Sequence, residues 1–256
     1  MVNVDGFSVL HFNIRSLCCN FDSMKQYVND LDKTFDVIAI TETWLKDDIN
    51  LNDFALDNYT IYNINRPEKR GGGVLLYVLN NHVSKLLPEL SGCIEDIIEY
   101  VTIEITVPNA KNISLSCMYR PPGRSVDKFN DQLKNLLQKL EHRNLILCGD
   151  FNINLLNTES HLGTEQFLQI LNNYGAYPLI TKPTRITLGS STLIDNIFTN
   201  LIKTSKNGIL INDISDHLPT FSVIDYGCSI KYARRKVYKN IRKVNDSSNF
   251  ANYQPL

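Results

Sequence analysis

The stretch LILCGDFN, residues 145–152, joins a very apolar run to a polar end. Leu145–Cys148 contains only apolar residues, which is typical of a strand that is buried on both faces. Asp150 and Asn152 follow directly after this run and its glycine. We therefore predict a buried strand that carries a carboxylate and an amide at its end.

Short apolar segments with a polar residue in them or at their end recur along the chain. The complete set of these polar residues is Asn13, Glu42, Asp150, Asn152, Asp195, Asp216 and His217. A single Asp or Asn at such a position is more often a cap or a turn residue. Strand ends on one rim of a sheet sandwich converge, however, so the repeated pattern predicts that these side chains meet in one site.

The rest of the sequence alternates between strand-like and helix-like segments. Val101, Ile103, Ile105 and Val107 alternate with polar residues, as in a half-buried strand. Ser125 is a suitable N-cap for a helix with apolar residues along one face. The pattern predicts an α/β (α+β) fold of about eight to eleven strands, with two packed, mostly antiparallel sheets flanked by helices.

The composition is that of a globular protein, since 43% of the 256 residues are hydrophobic and 21% are charged. No apolar run approaches the ~18 residues that a membrane-spanning helix needs, and the first residues lack the pattern of a signal peptide. We therefore expect one domain over residues 1–226, with no membrane partner.

The charges are distributed unevenly along the chain. Residues 231–256 hold seven basic residues and one acid, which leaves 19 basic and 26 acidic residues in residues 1–230. An acidic body disfavours a broad basic surface for nucleic acid, but it suits an enzyme that gathers carboxylates around a cation. We interpret residues 227–256 as a basic linker or tail.

The polar residues at the strand ends offer mainly oxygen ligands. Mg²⁺ prefers such ligands, and Mn²⁺ accepts the same set. The sequence has no Cys-x-x-Cys pair and no Cys/His spacing typical of zinc. The residues therefore favour Mg²⁺, with Mn²⁺ as a substitute, and no small organic cofactor.

Seven sequence blocks contain these residues and their neighbours. The blocks are Leu10–Leu17 (LHFNIRSL), Asp36–Leu45 (DVIAITETWL), Arg70–Tyr77 (RGGGVLLY), Tyr119–Pro122 (YRPP), Leu147–Asn152 (LCGDFN), Ser190–Thr199 (SSTLIDNIFT) and Ile214–Pro219 (ISDHLP). In these blocks and their order the chain resembles the endonuclease/exonuclease/phosphatase superfamily, and within it the apurinic-type endonuclease domain of non-LTR (LINE-type) retrotransposons. The resemblance implies a DNase I-like four-layered α/β sandwich.

The same resemblance implies a role for each catalytic candidate. Asp150 resembles the general base that takes a proton from the attacking water, and Asn152 would orient that water or a phosphate oxygen. His217 resembles the group that donates to the phosphate, with Asp195 fixing its ring. Tyr119 resembles the tyrosine that hydrogen-bonds the phosphate.

The resemblance implies that three further residues bind the metal or lie beside it. Glu42 resembles the principal Mg²⁺ ligand, and Asn13 resembles the asparagine beside the metal and the scissile phosphate. Asp216 would hold the metal directly or through water.

The remaining candidates are expected to contact DNA. The resemblance implies that Arg120 contacts the DNA backbone and that Ser191 or Thr192 lines the same cleft. Arg70, beside a glycine-rich turn, is a further candidate for a DNA contact. Trp44 is expected to be a core residue behind the site.

The implied activity is that of a Mg²⁺-dependent DNA endonuclease, which nicks one strand and leaves a 3′-hydroxyl. A reverse transcriptase domain would extend that end. A DNA substrate in turn implies a nuclear location.

The chain departs from other branches of the superfamily at two places. The phosphatase members typically carry a Trp-x-Asp-Arg block, whereas this chain has Ile194-Asp195-Asn196-Ile197. Arg15 stands where repair endonucleases usually have an acid, which weakens an abasic-site role. A phosphomonoesterase and a catalytically silent nucleic-acid-binding remnant remain alternatives.

Overall fold

Two β-sheets packed face to face form the centre of the molecule, and helices cover both outer faces. The computed structural model describes residues 6–67, 69–201 and 204–225. The predicted basic segment, residues 227–256, lies outside the described residues. The layers follow the order helix, sheet, sheet, helices, which is the four-layered arrangement expected from the sequence.

The strands are short, and most have three to eight residues. In chain order they are β1 (Phe7–Asn13), β2 (Val37–Thr41), β3 (Tyr59–Ile64), β4 (Val74–Leu79), β5 (Ser84–Leu86), β6 (Gly92–Ile94), β7 (Ile98–Ile105), β8 (Ile113–Tyr119), β9 (Asn144–Asp150), β10 (Tyr177–Pro178), β11 (Arg185–Ile186), β12 (Ser191–Thr192), β13 (Asp195–Thr199), β14 (Thr204–Ile209) and β15 (Thr220–Asp225).

Within the described residues, the first sheet has the spatial order β14, β15, β1, β2, β4, β3, and the second has the order β10, β13, β9, β8, β7, β5. Strand β6 also pairs with β7, and β11 pairs with β12 in a separate hairpin. Most neighbouring strands are antiparallel, but β1 and β2 are parallel, as are β8 and β9.

Three α-helices form the outer layers of the described chain, namely α1 (Leu17–Asp30), α2 (Val126–Lys139) and α3 (Leu162–Asn173). Short 3₁₀ helices cover Leu51–Phe54, Pro88–Leu90 and Leu155–Ser160. The Ser125 side chain accepts a hydrogen bond from the Lys128 backbone N–H and caps α2, as its position in the sequence predicts. No helix in the described part of the chain has the length and apolar composition needed to span a lipid bilayer.

The alternation of side chains along each strand separates the core into layers. Val9 and Ala39 face the second sheet, whereas Leu10 and Ile38 face helix α1. The second sheet buries its other face against α2 and α3, for example through Leu147. Because successive side chains point to opposite faces, every second residue of a central strand faces the space between the sheets.

Candidate active site

Six of the predicted site residues lie at one rim of the two sheets, where neighbouring strands end or begin. They are Asn13, Glu42, Tyr119, Asp150, Asp195 and His217. Parallel pairing of β8 with β9 aligns Tyr119 with Asp150, and antiparallel pairing of β9 with β13 aligns Asp150 with Asp195. The strand order therefore brings together side chains that are far apart in the sequence.

The inward direction of Asp150 follows from the strand that precedes it. Ile146 and Cys148, at the alternate positions of β9, belong to the core between the sheets. Asp150 shares their face and is fully buried. The alternation along β9 thus places the Asp150 carboxylate on the inward face of the strand, at the edge of the apolar core.

Asn13 joins the two sheets at this rim. Its Nδ2 donates to Glu42 Oε1 and to Asp150 Oδ2, at 2.9 Å in each case. The Asn13 side chain is buried, and its Oδ1 has no hydrogen-bond partner in the described part of the chain. The amide therefore holds two carboxylates near one another while it leaves a buried oxygen free for a ligand.

Asn152 supports Asp150 from the other side. Its backbone N–H donates to Asp150 Oδ1 at 2.9 Å, and its Nδ2 donates to Asp150 Oδ2 at 3.1 Å. Burial and the nearby Asp195 charge nevertheless raise the pKa of Asp150 well above its ordinary value. Asp150 is thus a stronger base than an exposed aspartate.

Asp195 orients His217 across the gap between the sheets. Asp195 Oδ2 accepts hydrogen bonds from His217 Nδ1 at 2.9 Å and from Thr184 Oγ1 at 2.7 Å. His217 Nε2 makes no hydrogen bond to any described residue. This arrangement fixes the ring and leaves one nitrogen for a substrate.

The charge of His217 is set by a balance of burial and carboxylates. Burial alone would lower its pKa, but Asp195, followed by Asp150 and Asp216, outweighs that effect and raises the pKa to about 9. The ring is therefore an imidazolium at neutral pH. It adds a positive charge to a site that is otherwise rich in carboxylates.

Asp216 is held by two arginines. Its Oδ1 accepts from Arg15 Nη1 at 2.9 Å, and its Oδ2 accepts from Arg185 Nε at 2.8 Å and Nη2 at 2.7 Å. Burial would raise the Asp216 pKa, but these bonds lower it below its ordinary value. Both carboxylate oxygens thus have arginine partners, which differs from the expectation that Asp216 serves the metal.

Tyr119 lies beside a buried ion pair. The Arg66 guanidinium is 5.8 Å from the Tyr119 ring centroid and pairs with Glu99, which also accepts from the Gly73 backbone N–H. Burial, together with the charges of Glu42 and other acids, raises the pKa of the Tyr119 phenol. Tyr119 therefore remains a neutral hydrogen-bond donor at the rim.

Arg120 lies inside the protein. It is 3% exposed, and its guanidinium donates to the backbone carbonyls of Pro121, Asn152 and Arg124. This burial differs from the predicted contact of Arg120 with a DNA backbone, since these carbonyls occupy the side chain. Its role is to hold the segments after β8 and β9 together.

Ser191 and Thr192 form the short strand β12, and both reach the site indirectly. The Thr192 carbonyl accepts from the Thr184 backbone N–H at 2.9 Å, and Ser191 is exposed beside it. Because Thr184 donates to Asp195, this hairpin supports the Asp195–His217 pair.

Arg70 and Trp44 lie together at the edge of the site. The Arg70 guanidinium is 5.2 Å from the centroid of the Trp44 ring, and Trp44 Nε1 donates to Glu42 Oε2 at 3.2 Å. Trp44 is only half-buried, so its predicted place in the core is wrong. The pair lines a cleft of about 570 Å³ beside Glu42, with Lys46 and Lys69 in the wall.

The backbone at Glu42 is held in an uncommon conformation. Glu42 and Trp44 have φ of 56° and 55°, in the left-handed region that side chains rarely adopt. The Ser16 N–H bonds the Glu42 carbonyl, and the Trp44 N–H bonds the Gly72 carbonyl. These long-range bonds hold a conformation that local preference alone does not favour.

A tight group of possible metal-ligating atoms exists at this site. One ligand atom each of Asp150, Asp195 and His217 lies within 4.8 Å of the others, and all three residues are buried. Of the residues predicted to hold the metal, Asn13 borders this group through its bond to Asp150, and Glu42 is linked to it through Asn13.

Several residues of the site were missed by sequence reasoning. They are His11, Thr184, Arg185, Arg66 and Glu99. None of them belongs to a spacing pattern typical of a site, and each is identified only by its contacts. Arg15 was noted in the sequence, because repair endonucleases usually have an acid at this position. Its pairing with Asp216 was not predicted.

The family model described as "Endonuclease/Exonuclease/phosphatase family" matches residues 10–217. No curated protein matches the chain in sequence. The matched range contains every predicted catalytic residue, so the site described above lies within the family's own domain.

Several solved structures share the fold. The endonuclease domain of TRAS1, a telomere-specific non-LTR retrotransposon, is 18% identical with a TM-score of 0.66, covering 86% of this chain and 98% of that one. The AP endonuclease LMAP from Leishmania major is 14% identical with a TM-score of 0.71, covering 86% and 88%. The 3′ phosphatase NExo from Neisseria, bound to a product DNA hairpin, is 16% identical with a TM-score of 0.65, covering 86% and 99%. The predicted fold class is thereby confirmed.

Proposed function

Because the chain belongs to the endonuclease/exonuclease/phosphatase family, we propose that it is a metal-dependent DNA endonuclease. It hydrolyses one phosphodiester bond, nicks one strand and leaves a 3′-hydroxyl. The observation that carries this proposal is the convergence of Asp150, Asp195 and His217 within 4.8 Å, with Asn13 bonding Asp150 to Glu42. These groups bring a base, a charged imidazole and oxygen ligands together at one site.

Asp150 is the group that we assign to the attacking water. Its raised pKa makes it a better proton acceptor than an exposed aspartate, because a base works best when its pKa approaches the working pH. The bonds from Asn13 and Asn152 fix the carboxylate in place. When the water oxygen bonds to phosphorus, its proton goes to Asp150. The P–O3′ bond breaks, and the departing 3′ oxygen takes a proton from solvent to become the 3′-hydroxyl of one product, while the phosphate stays on the 5′ end of the other.

His217 is the group that we assign to the phosphate. As an imidazolium, it donates from Nε2 to the oxygen on which negative charge develops, and Asp195 stabilises the charged ring at Nδ1. A preorganised donor aimed at developing charge is usually worth 10²–10³-fold or more in rate. Tyr119 is a second, neutral donor at the same rim.

The residues present fit a hard divalent cation. Asn13 Oδ1 is buried without a partner among the described residues, and Glu42 offers a carboxylate beside it. We assign the metal to Glu42 and Asn13, with Mg²⁺ favoured by the oxygen ligands and Mn²⁺ as a substitute. A bound Mg²⁺ would supply positive charge to the phosphate oxygens. Asp216 is better suited to hold Arg15 and Arg185 at the rim.

The retrotransposon branch is the more specific part of the proposal. The likeness to the TRAS1 endonuclease domain and the seven sequence blocks support it. A 3′-hydroxyl is the end that a reverse transcriptase extends, so the full element would couple nicking to synthesis of DNA. The DNA substrate places the reaction in the nucleus.

A phosphomonoesterase is the second candidate, favoured by the likeness to the Neisseria 3′ phosphatase. Both reactions use the same water, base and imidazolium. They differ in the substrate, because a phosphatase acts on a terminal phosphate and releases inorganic phosphate. The departure at Ile194-Asp195-Asn196-Ile197 from the usual phosphatase block favours the endonuclease.

The test is relaxation of supercoiled plasmid by the purified chain with Mg²⁺, with Mn²⁺ and with EDTA. We expect metal-dependent nicking that Asp150→Asn lowers by at least about 10³-fold, while Asp131→Asn, an exposed acid on α2, has full activity. Extension of the nick by a DNA polymerase without prior phosphatase treatment reports the 3′-hydroxyl.

Three outcomes would overturn the proposal. Full activity of Asp150→Asn excludes the assigned base. Release of inorganic phosphate from a 3′-phosphorylated oligonucleotide, without nicking, favours the phosphomonoesterase. DNA binding that EDTA does not affect, without turnover, indicates a silent binding module.

A further inference from the structure

His11 is a buried histidine next to the active site that the proposed mechanism leaves unused. It lies on β1 two residues before Asn13 and is 1% exposed. It shares the inward face of β1 with Val9 and Asn13, and therefore points into the space between the sheets.

One ring nitrogen of His11 is bonded to Thr41. The distance from His11 Nε2 to Thr41 Oγ1 is 3.0 Å, shorter than the 3.4 Å from Thr41 Oγ1 to the Phe12 carbonyl. The hydroxyl has one hydrogen, and the Asp195 carboxylate near the other ring nitrogen favours the tautomer in which that hydrogen goes to Nε2, because a lone pair on Nδ1 would face a negative charge. A neutral imidazole then carries its own proton on Nδ1.

The other ring nitrogen faces Asp195. His11 Nδ1 is 4.0 Å from Asp195 Oδ1, which is beyond hydrogen-bond distance, and neither atom has a hydrogen-bond partner in residues 6–67, 69–201 and 204–225. The second oxygen of the same carboxylate accepts from His217 and Thr184. Two donors thus hold Oδ2, whereas Oδ1 has no hydrogen-bond donor among the described residues and lies 4.0 Å from the His11 ring nitrogen.

We propose that His11 is a positioning residue that fixes the Asp195 carboxylate through Oδ1 and thereby aligns His217. The proposal rests on the proposed function for its effect on catalysis. Rotation of the Asp195 carboxylate about its Cβ–Cγ bond would move Oδ2 away from His217 Nδ1. A donor at Oδ1 opposes that rotation, because an N–H directed at a carboxylate is favourable in a buried site.

The role has a distinct kinetic consequence. Partners that orient a functional histidine from behind typically change activity by about 10–100-fold when they are removed. His11 does not reach the rim, so its loss should lower kcat and leave KM for DNA nearly unchanged. A purely structural role would instead lower stability without a specific effect on kcat.

The test compares three variants in the plasmid-nicking assay and by thermal unfolding. His11→Leu removes the donor, and we expect kcat to fall at least about 10-fold. His11→Asn keeps an N–H near the position of Nδ1, and we expect it to recover most of kcat. His82→Leu is the matched control, since His82 is another buried histidine bonded to a carboxylate, Asp36, at 2.8 Å and away from the site. It should lose stability but keep kcat.

A second measurement needs no turnover. The proton of the His217 Nδ1–Asp195 hydrogen bond should give a downfield NMR signal in the wild-type chain. His11→Leu should move that signal upfield and speed its exchange with water, whereas His82→Leu should not. An unchanged signal and kcat in His11→Leu would overturn the inference, even if wild-type nicking is observed. If the chain does not nick DNA but the signal responds, only the proposed function fails.

Discussion

Asp195 Oδ2 and His217 Nδ1 are joined by a hydrogen bond of 2.9 Å that crosses from one sheet to the other. Asp195 begins β13 of the second sheet, and His217 lies just before β15 of the first. The bond is buried, with Asp195 1% and His217 5% exposed. The orientation of the imidazole therefore depends on how the two sheets pack, and not on either strand alone.

We predict that Asp195→Asn lowers the nicking rate by about 10²–10⁴-fold, because an amide neither stabilises the imidazolium nor fixes its tautomer. The measurement is kcat in the plasmid assay, with circular dichroism to show that the variant is folded. Asp213→Asn, an exposed acid four residues before His217, is the control and should keep full activity. A folded Asp195→Asn variant with normal kcat would contradict the assigned role.

The nicking rate should depend on pH through both catalytic groups. His217 has a pKa of about 9, so it is charged below that pH, and the rate should fall as the pH rises through about 9. The Asp150 pKa is raised, so the acid side of the profile should lie above the ordinary aspartate range. His217→Gln should lack the alkaline fall and have a lower plateau. Persistence of that fall in His217→Gln would assign it to another group.

Gly149 should not tolerate a side chain. A Cβ there would lie 1.9 Å from the Met118 carbonyl oxygen, and the residue has φ of 147°. We expect Gly149→Ala to lower the free energy of unfolding by about 3 kcal/mol, since the backbone beside Asp150 must shift. Gly189→Ala is the control, because a Cβ there meets nothing within 4 Å. Urea unfolding measures both, and equal stabilities would contradict the close approach.

Arg120 should matter for folding. Arg120→Met removes the donors of the Pro121, Asn152 and Arg124 carbonyls, and we expect the free energy of unfolding to fall by about 2–4 kcal/mol. Arg124→Met, in which the lost side chain is half exposed, should cost far less. If Arg120→Met weakens DNA binding without a change in stability, Arg120 contacts DNA after all.

Much of the fold could be read from local sequence patterns. The apolar run Leu145–Cys148 predicted β9 (Asn144–Asp150) to within two residues at each end, because a strand that is buried on both faces is rich in apolar residues. The edge strand β3 (Tyr59–Ile64) was missed. Its residues are only partly buried, so its composition does not differ enough from that of a loop.

Part of the candidate site could also be predicted from local sequence patterns. Asn13, Asp150 and Asp195 stand out because each interrupts an apolar segment, where a polar side chain is costly unless it has partners. The left-handed backbone of Glu42, in contrast, is held by bonds from residues that are distant in sequence. Such bonds leave no local pattern.

The sequence by itself determined which segments form the central strands, since the side chains of a strand that is buried on both faces form an apolar run, and such runs are visible in the chain. Only the tertiary structure decided what those side chains meet. It paired Asp216 with Arg15 and Arg185, buried Arg120 among carbonyls, and set His11 against Asp195. The reason is physical, because a contact between two side chains depends on which strands become neighbours and on how the sheets pack. A local sequence pattern does not specify how far apart two residues that are distant in sequence will lie, or how their side chains will be oriented.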